Sequence, residues 1–178
     1  LHIRPDTSVR RLLFEGSRCT GAEVQPSHLP DGDAVSRVSA RLVILCAGTL
    51  MSPTILLRSG IGALGQLAQL GVDTVKHAPG VGQNLSDHPA LGVICEVRDP
   101  SLIDFDRPII QTILRYTAEG SDKRNDLQIE QISFAGRPGG PPLYKLAPVL
   151  EYQYGRGELS RSDAGTFTAP AVQNRFCE

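Results

Sequence analysis

The sequence predicts a mixed α/β fold of the α+β kind, in which most strands pair antiparallel. Three features support this prediction. The first 40 residues contain short strand-like segments separated by polar turns, as in a β-meander. Residues 42–47 are continuously apolar, which is typical of a strand covered on both faces, and a helical segment follows them. From about residue 91 onward, strand-like segments return between loops rich in proline and glycine.

The composition indicates a globular chain and excludes some classes of partner. Of the 178 residues, 40% are hydrophobic and 21% charged, and 18 basic against 19 acidic residues leave a net charge of -1. That balance lacks the positive field that binders of nucleic acid need, so we expect no nucleic-acid partner. No apolar run approaches the roughly 20 residues of a transmembrane helix, and the chain shows no secretory leader, which favours a cytoplasmic location.

The elements of the first part follow from local signals. Strands are predicted over 8–14, 20–24 and 35–40, because apolar residues recur there between turns. After the apolar strand 42–47, Ser52 is a suitable N-cap and Pro53 a suitable first helical residue, which predicts a short helix that Gly60 ends. A second short helix is predicted over 64–70.

The elements of the second part are predicted in the same way. Strands are expected over 91–97, 127–134 and 146–154, and a Pro/Gly loop over 136–142. Between the first two strands, apolar side chains recur at helical spacing, and this predicts a helix over 108–117 (Ile109, Ile110, Ile113, Leu114).

The four cysteines are far apart and form no C-x-x-C motif, so the sequence predicts no metal site. Cys46 and Cys95 lie inside apolar segments. We therefore expect buried, reduced thiols in preference to a disulfide framework.

One glycine motif matches a dinucleotide fingerprint in letters only. Residues 60–65 read G-I-G-A-L-G, but the fingerprint requires a buried strand directly before it and a helix that opens within it. The residues before Gly60 are predicted to be helical. We therefore expect a structural turn with close backbone packing rather than a nicotinamide site.

Ala47 and Gly48 form a better candidate for a cofactor contact. Small residues at the end of a buried strand allow a ligand to lie against the backbone. The same pair also occurs where a helix simply packs close, and the pair alone leaves both interpretations open.

Longer motifs settle the context. Residues 48–62 read G-T-L-M-S-P-T-I-L-L-R-S-G-I-G, residues 79–89 read P-G-V-G-Q-N-L-S-D-H-P, and a looser pattern spans 156–163 and 170–174. In this order and spacing the motifs resemble those of the glucose-methanol-choline (GMC) family of flavin-dependent oxidoreductases. The resemblance covers nearly the whole chain, and the chain looks like an internal segment of such an enzyme.

The resemblance implies FAD as cofactor and two partial domains. Residues 1–90 are expected to be the C-terminal portion of an FAD-binding domain with a β-meander, and 91–178 part of an antiparallel-sheet substrate-binding domain. Val9 matches a position whose backbone lies by the adenine of FAD. Ala47 and Gly48 match the strand end that packs on the flavin nucleotide.

Three further residues match the stretch where the family's chain leaves the FAD domain. Asn84, Asp87 and His88 are therefore expected on the substrate or entrance side. An equally open alternative is that Asp87 and His88 cap a turn before Pro89. The family's active-site histidine is expected outside this segment.

The resemblance implies oxidation of a primary or secondary alcohol by hydride transfer to flavin, as in a choline dehydrogenase-like enzyme, with an electron acceptor that the residues do not identify. The segment alone is expected to be inactive and poorly soluble. The alternative is a non-catalytic, truncated GMC-like domain that acts only through binding.

Overall fold

The computed structural model describes residues 1–133 and 143–176, and these form two compact units. The first unit comprises Leu1–Leu85 and Arg156–Arg175, and the second is built from Ser86–Gly155 together with Phe176. The chain therefore returns to the first unit after the second. The assignment of 1–90 to an FAD-binding domain and of 91–178 to a substrate-binding domain stays a prediction.

The described strands and helices are bounded as follows. The two α-helices are α1 (Gly48–Arg58) and α2 (Leu64–Gln69), and one 3-10 turn spans Pro100–Leu102. The strands are β1 (Thr7–Glu15), β2 (Arg18–Pro26), β3 (Ser36–Ser39), β4 (Ile61–Gly62), β5 (Lys76–His77), β6 (Gln83–Leu85), β7 (Val93–Glu96), β8 (Ile110–Tyr116), β9 (Leu127–Ser133), β10 (Leu143–Leu150), β11 (Gly157–Ser160) and β12 (Ala171–Gln173).

The meander predicted at the start of the chain is confirmed. Strands β1, β2 and β3 form an antiparallel sheet in that order, with Val9 opposite Val24. Polar turn residues at 16–17 allow the tight connection between β1 and β2, since Gly16 adopts a φ of 59°.

The buried strand predicted over 42–47 is wrong. Residues 42–46 form no strand, and none of the described strands pairs with them. Leu42 and Ile44 are 76% and 78% exposed. A continuously apolar segment is buried only where neighbouring elements cover both of its faces. Within the described residues, no strand supplies the main-chain hydrogen bonds that residues 42–46 would need to form a strand.

Helix α1 begins earlier than predicted. Its N-cap is Ala47, and Pro53 lies inside the helix rather than at its first position. The hydroxyl of Ser52 accepts a hydrogen bond from the Ala47 N–H at 3.1 Å, so it supports the earlier start instead of capping a later one. The second predicted helix is confirmed as α2.

A leucine cluster forms the core of the first unit. Leu57 of α1, Leu67 of α2, Leu70 and Leu159 of β11 are all buried and in contact. Here α1 presents one apolar side to α2 and β11, which is how a short helix gains most of its stability. The same unit contains the small sheets β12-β11-β6 and β4-β5.

The second unit is built on an antiparallel sheet with the order β7-β10-β9-β8. Its predicted strands are confirmed over β7, β9 and β10, whereas Phe134 and the predicted loop 136–142 lie outside the described residues. The helix predicted over 108–117 is wrong, because this segment is strand β8 and pairs with β9, for example Leu114 with Ile129. Its β-branched isoleucines suit a strand, and this pairing outweighs the helical spacing.

The cysteines are less buried than predicted. Cys46 is exposed within the unpaired stretch 42–46, and Cys19 and Cys95 are half-buried. All three are free thiols, and Cys177 lies outside the described residues.

The longest helix in the described ranges is α1, with 11 residues, and none there has the length and apolar character to cross a bilayer.

Candidate functional site

A cavity of about 510 Å³ in the first unit is lined by two of the three residues with predicted cofactor contacts, Val9 and Ala47, but not by Gly48. We call it the β1–α1 cavity. Its walls are the start of β1, the face of α1 with the preceding Ala47, and the segment 166–170. The lining residues are Thr7, Ser8, Val9, Ala47, Met51, Ile55, Arg58, Thr166, Phe167, Thr168, Ala169 and Pro170.

The cavity brings Val9 and Ala47 together although 38 positions separate them in the sequence. Gly48, the first residue of α1, has a φ of 80°, and a Cβ added there would meet no heavy atom within 4 Å. The backbone at the start of α1 is therefore open to a neighbouring group. This is the steric condition for a planar ligand to lie against it.

Arg58 at the end of α1 is buried, with 5% of its surface exposed, and bonds two other parts of the chain, β1 and the segment at Thr166. Its Nε donates to the Arg10 carbonyl at 2.7 Å, its Nη2 to the Val9 carbonyl at 2.8 Å, and its Nη1 to the Thr166 carbonyl at 2.9 Å. Burial, followed by the positive charge of Arg161, lowers the pKa of Arg58 to about 10. The guanidinium is therefore still charged at neutral pH.

The segment 163–168 is held from its other side by Arg161. The Arg161 side chain donates to the Asp163 carbonyl at 3.0 Å, to the Thr168 carbonyl at 2.8 Å and to the Gly165 carbonyl. These bonds fix a segment that has no strand partner of its own.

Ser59 links β1 to α1 directly. Its hydroxyl accepts a hydrogen bond from the Leu12 N–H at 2.8 Å and donates to the Ile55 carbonyl at 2.6 Å. The serine in the S-G-I-G motif therefore has a structural role in seating β1 on the helix.

The structure confirms that the G-x-G-x-x-G match at 60–65 is a turn. Helix α1 ends directly before Gly60, which excludes the strand–turn–helix geometry of a dinucleotide fingerprint. Gly60 has a φ of 80°, and a Cβ there would lie 2.2 Å from the Asp73 carbonyl oxygen. This is the close backbone packing that we expected.

Comparison with known proteins identifies the family. Residues 1–90 match the family model described as GMC oxidoreductase. The chain belongs to the GMC oxidoreductase family.

Relatives of this GMC chain extend the match along most of its length. It is 36% identical over 185 residues to an uncharacterized GMC-type oxidoreductase from Rhodococcus erythropolis. This alignment covers 99% of this chain and 34% of the relative. It is 42% identical over 187 residues to mitochondrial choline dehydrogenase from Mus musculus. That alignment covers 97% of this chain and 30% of the relative. The chain thus spans about a third of the length of these relatives.

Solved structures confirm the fold class of the GMC chain. Formate oxidase superposes with a TM-score of 0.78 at 19% identity, over 97% of this chain and 39% of that one. Pyridoxine 4-oxidase from Mesorbium loti gives a TM-score of 0.74 at 23% identity, over 96% of this chain and 34% of that one. The α/β assignment, with its meander and antiparallel sheet, is therefore confirmed.

GMC oxidoreductases use FAD, and the residues of the β1–α1 cavity fit that group. The open space beside Gly48 leaves room at the start of α1, and Val9, whose carbonyl Arg58 holds, is part of the cavity lining. The individual contacts of Val9, Ala47 and Gly48 with FAD stay predictions.

The three residues predicted on the substrate side lie elsewhere. Asn84 is in β6 of the first unit, exposed, with a left-handed φ of 60°, and does not line the cavity. In the second unit, the Asp87 carboxylate accepts the His88 N–H at 2.9 Å, as in the turn-capping alternative. His88 Nε2 lies 3.8 Å from the Glu151 carboxylate, which Arg115 also contacts at 3.5 Å. The substrate-side role of all three stays a prediction.

The sequence did not predict three parts of this site, namely Arg58, Arg161 and the segment 163–168. Arg58 does carry a signal, because it is a charged residue directly after the apolar run 54–57 and before Ser59. Arg161 gives no comparable signal although its contacts are local, because its acceptors at Asp163, Gly165 and Thr168 are main-chain carbonyls, which any residue type carries.

Acid should destabilise the first unit through Asp31. Its carboxylate accepts the Thr166 N–H at 2.8 Å and contacts Arg10 at 2.7 Å. Burial alone would raise the pKa of Asp31, but these interactions and the charge of Arg58 outweigh it and hold the pKa below its ordinary value of 3.8. The stabilisation that this carboxylate gives the folded state is therefore fully present above pH 3.8, the ordinary pKa. It is lost as the pH falls through the lower pKa that Asp31 has in the folded state.

We expect Asp31→Asn to lower the free energy of unfolding by about 1 kcal/mol at neutral pH and to reduce the loss on acidification. Thermal melting of the full-length protein between pH 7 and pH 3 measures both effects. Asp33→Asn, at an exposed position nearby, is the control. Equal melting curves for the two variants at neutral pH would contradict the prediction.

Proposed function

We propose that the protein is an FAD-dependent oxidoreductase that oxidises a primary or secondary alcohol by hydride transfer to the flavin. The observation that carries the proposal is the β1–α1 cavity, which gathers Val9 and Ala47 beside the open backbone of Gly48 in a chain of the GMC family. We further propose that residues 1–90 belong to the FAD-binding domain and 91–178 to the substrate-binding domain.

An alcohol substrate is supported by the relatives. Besides choline dehydrogenase, they include a 5-(hydroxymethyl)furfural oxidase from Methylovorus, 38% identical over 110 residues. Choline is therefore the first alcohol to test, and the electron acceptor is left open. A cytoplasmic location stays a prediction.

This chain contributes the binding of the cofactor. In the proposal, Val9 and the Ala47–Gly48 backbone hold part of FAD, and Asn84, Asp87 and His88 lie on the substrate side. Bound FAD supplies the hydride acceptor. The active-site base is proposed to lie outside this segment, as the family resemblance implies.

The flavin spectrum of the full-length protein tests the proposal. We expect bound FAD that survives gel filtration and an absorbance that bleaches when choline or another alcohol is added without oxygen. Full-length protein that binds no FAD, or whose flavin no alcohol reduces, would contradict it, and the latter result would favour the binding-only alternative. The 178-residue segment alone should show no alcohol-dependent bleaching.

Substitution at Gly48 tests where FAD lies. Gly48→Leu places a side chain in the open space at the start of α1, and we expect it to reduce the FAD retained by the full-length protein at least tenfold, or about 1.4 kcal/mol. Gly16→Leu is the matched control, because Gly16 also has a positive φ, of 59°, and open space around its Cβ position. Backbone strain alone would affect both variants alike, so equal FAD retention would place the cofactor away from Gly48.

A further inference from the structure

Arg58 is the one charged side chain among the described residues that line the β1–α1 cavity. An arginine in a nucleotide site is usually a candidate for binding phosphate, because its planar donors match phosphate oxygens. Here, however, Nε, Nη1 and Nη2 all donate to main-chain carbonyls, at 2.7, 2.9 and 2.8 Å. Each of the three guanidinium nitrogens therefore directs a donor to the protein backbone.

The acceptors of these bonds belong to β1 and to the segment 163–168, both of which contribute residues to the lining of the cavity. The carbonyls of Val9 and Arg10 are in β1, whereas the Thr166 carbonyl is in the segment opposite. One side chain therefore sets the separation of the two walls. The Gly165 carbonyl, 3.4 Å from Arg58 Nη1, is also an acceptor for Arg161.

Two arginines close enough to repel each other are costly to bury, since each loses hydration and each disfavours the charge of the other. Burial and the charge of Arg161 both lower the pKa of Arg58, and burial lowers that of Arg161. Hydrogen bonds from both side chains to main-chain carbonyls offset that cost. The arrangement thus satisfies the backbone of 163–168, which forms no sheet.

We propose that Arg58 is a positioning residue for FAD, which fixes the Val9 carbonyl and the segment 163–168 as facing walls of the cavity and does not bind the FAD phosphates. The inference rests on the proposed function, because it takes FAD as the occupant. Arg161 acts on the same segment without lining the cavity. The cavity then receives an uncharged part of FAD, since the one charged group described in its lining, Arg58, bonds main-chain carbonyls through all three of its nitrogens.

Arg58→Lys tests the inference in the full-length protein. Lysine keeps the charge, but its single ammonium cannot reproduce the fork of three guanidinium nitrogens. We expect the FAD dissociation constant to rise about tenfold, or about 1.4 kcal/mol, with its dependence on sodium chloride unchanged. Arg161→Lys should weaken FAD binding in the same direction. Arg18→Lys, at the exposed first residue of β2, should leave binding unchanged.

Hydrogen exchange of the FAD-free protein provides a second measurement. Amides in 163–168 should exchange faster in Arg58→Lys and Arg161→Lys than in the wild type, because their segment loses its fixed carbonyl contacts. If Arg58→Lys does not fold, Arg161→Lys carries both measurements.

The outcomes separate this inference from the proposed function. Wild-type protein that binds no FAD would overturn both. If the wild-type protein binds FAD, either of two results would overturn the inference alone. Arg58→Lys could have wild-type affinity, or the uncharged Arg58→Gln could lose part of the salt dependence that Arg58→Lys keeps, as expected of a direct phosphate ligand. Weaker FAD binding with unchanged exchange in 163–168 would also overturn it.

Discussion

Replacing Leu57 with alanine is expected to lower the free energy of unfolding of the first unit by about 2 to 5 kcal/mol. Leu57 has no exposed surface and lies at the centre of the cluster formed with Leu67, Leu70 and Leu159. The truncated side chain would leave a cavity that α1, joined to β1 through Ser59, cannot close by shifting. Arg58 follows Leu57 directly, so a looser helix end would also disturb its contacts.

Chemical denaturation of the full-length protein, with and without the substitution, measures this loss. Leu50→Ala is the matched control, because Leu50 is in the same helix and 42% exposed. We expect Leu50→Ala to lower the free energy of unfolding by well under half as much, since less of the Leu50 side chain is buried. If Leu57→Ala lowers the free energy of unfolding no more than Leu50→Ala does, the leucine cluster is not the stabilising core.

Gly60→Ala is expected to destabilise the first unit by about 3 to 5 kcal/mol, which is large for a single methyl group. Two effects add. An alanine at a φ of 80° loses about 1 to 2 kcal/mol from backbone strain. The new Cβ would also lie 2.2 Å from the Asp73 carbonyl oxygen, so the turn must open. Opening it breaks the hydrogen bond from the Val75 N–H to the Gly60 carbonyl, now 2.8 Å long.

Gly71→Ala separates the two effects. Gly71 has a φ of 64° but no heavy atom within 4 Å of an added Cβ, so its substitution carries the strain alone. The difference in melting temperature between the two variants then reports the contact with Asp73. Two variants of equal stability would show that the turn at Gly60 tolerates a side chain.

Elements with local signals could be predicted from the sequence. The meander was recognisable because apolar residues recur between polar turns, and α2 because Gly71 ends a short apolar run. The turn at Gly60 was also predictable, since a helical segment precedes it. In each case the residues that determine the structure are neighbours in the chain.

Elements that depend on distant partners could not be predicted in this way. The spacing of Ile109 to Leu114 fits a helix, but pairing with β9 makes the segment a strand. The apolar run 42–46 indicates burial, but burial requires elements on both faces. For the site, the family resemblance singled out Val9 and Ala47, which the structure shows in the lining of one cavity, whereas the role of Arg58 depends on carbonyls that no pattern of side chains reveals.

The hydrogen bonds of Arg58 also determine when the cavity can form. They join residues 49 and 108 positions apart, so two long loops must close before its donors find their acceptors. Closure of long loops is entropically costly and slow compared with formation of a hairpin such as β1–β2. The cavity is therefore a late product of folding, and the chain must be synthesised beyond residue 166 before it can be complete.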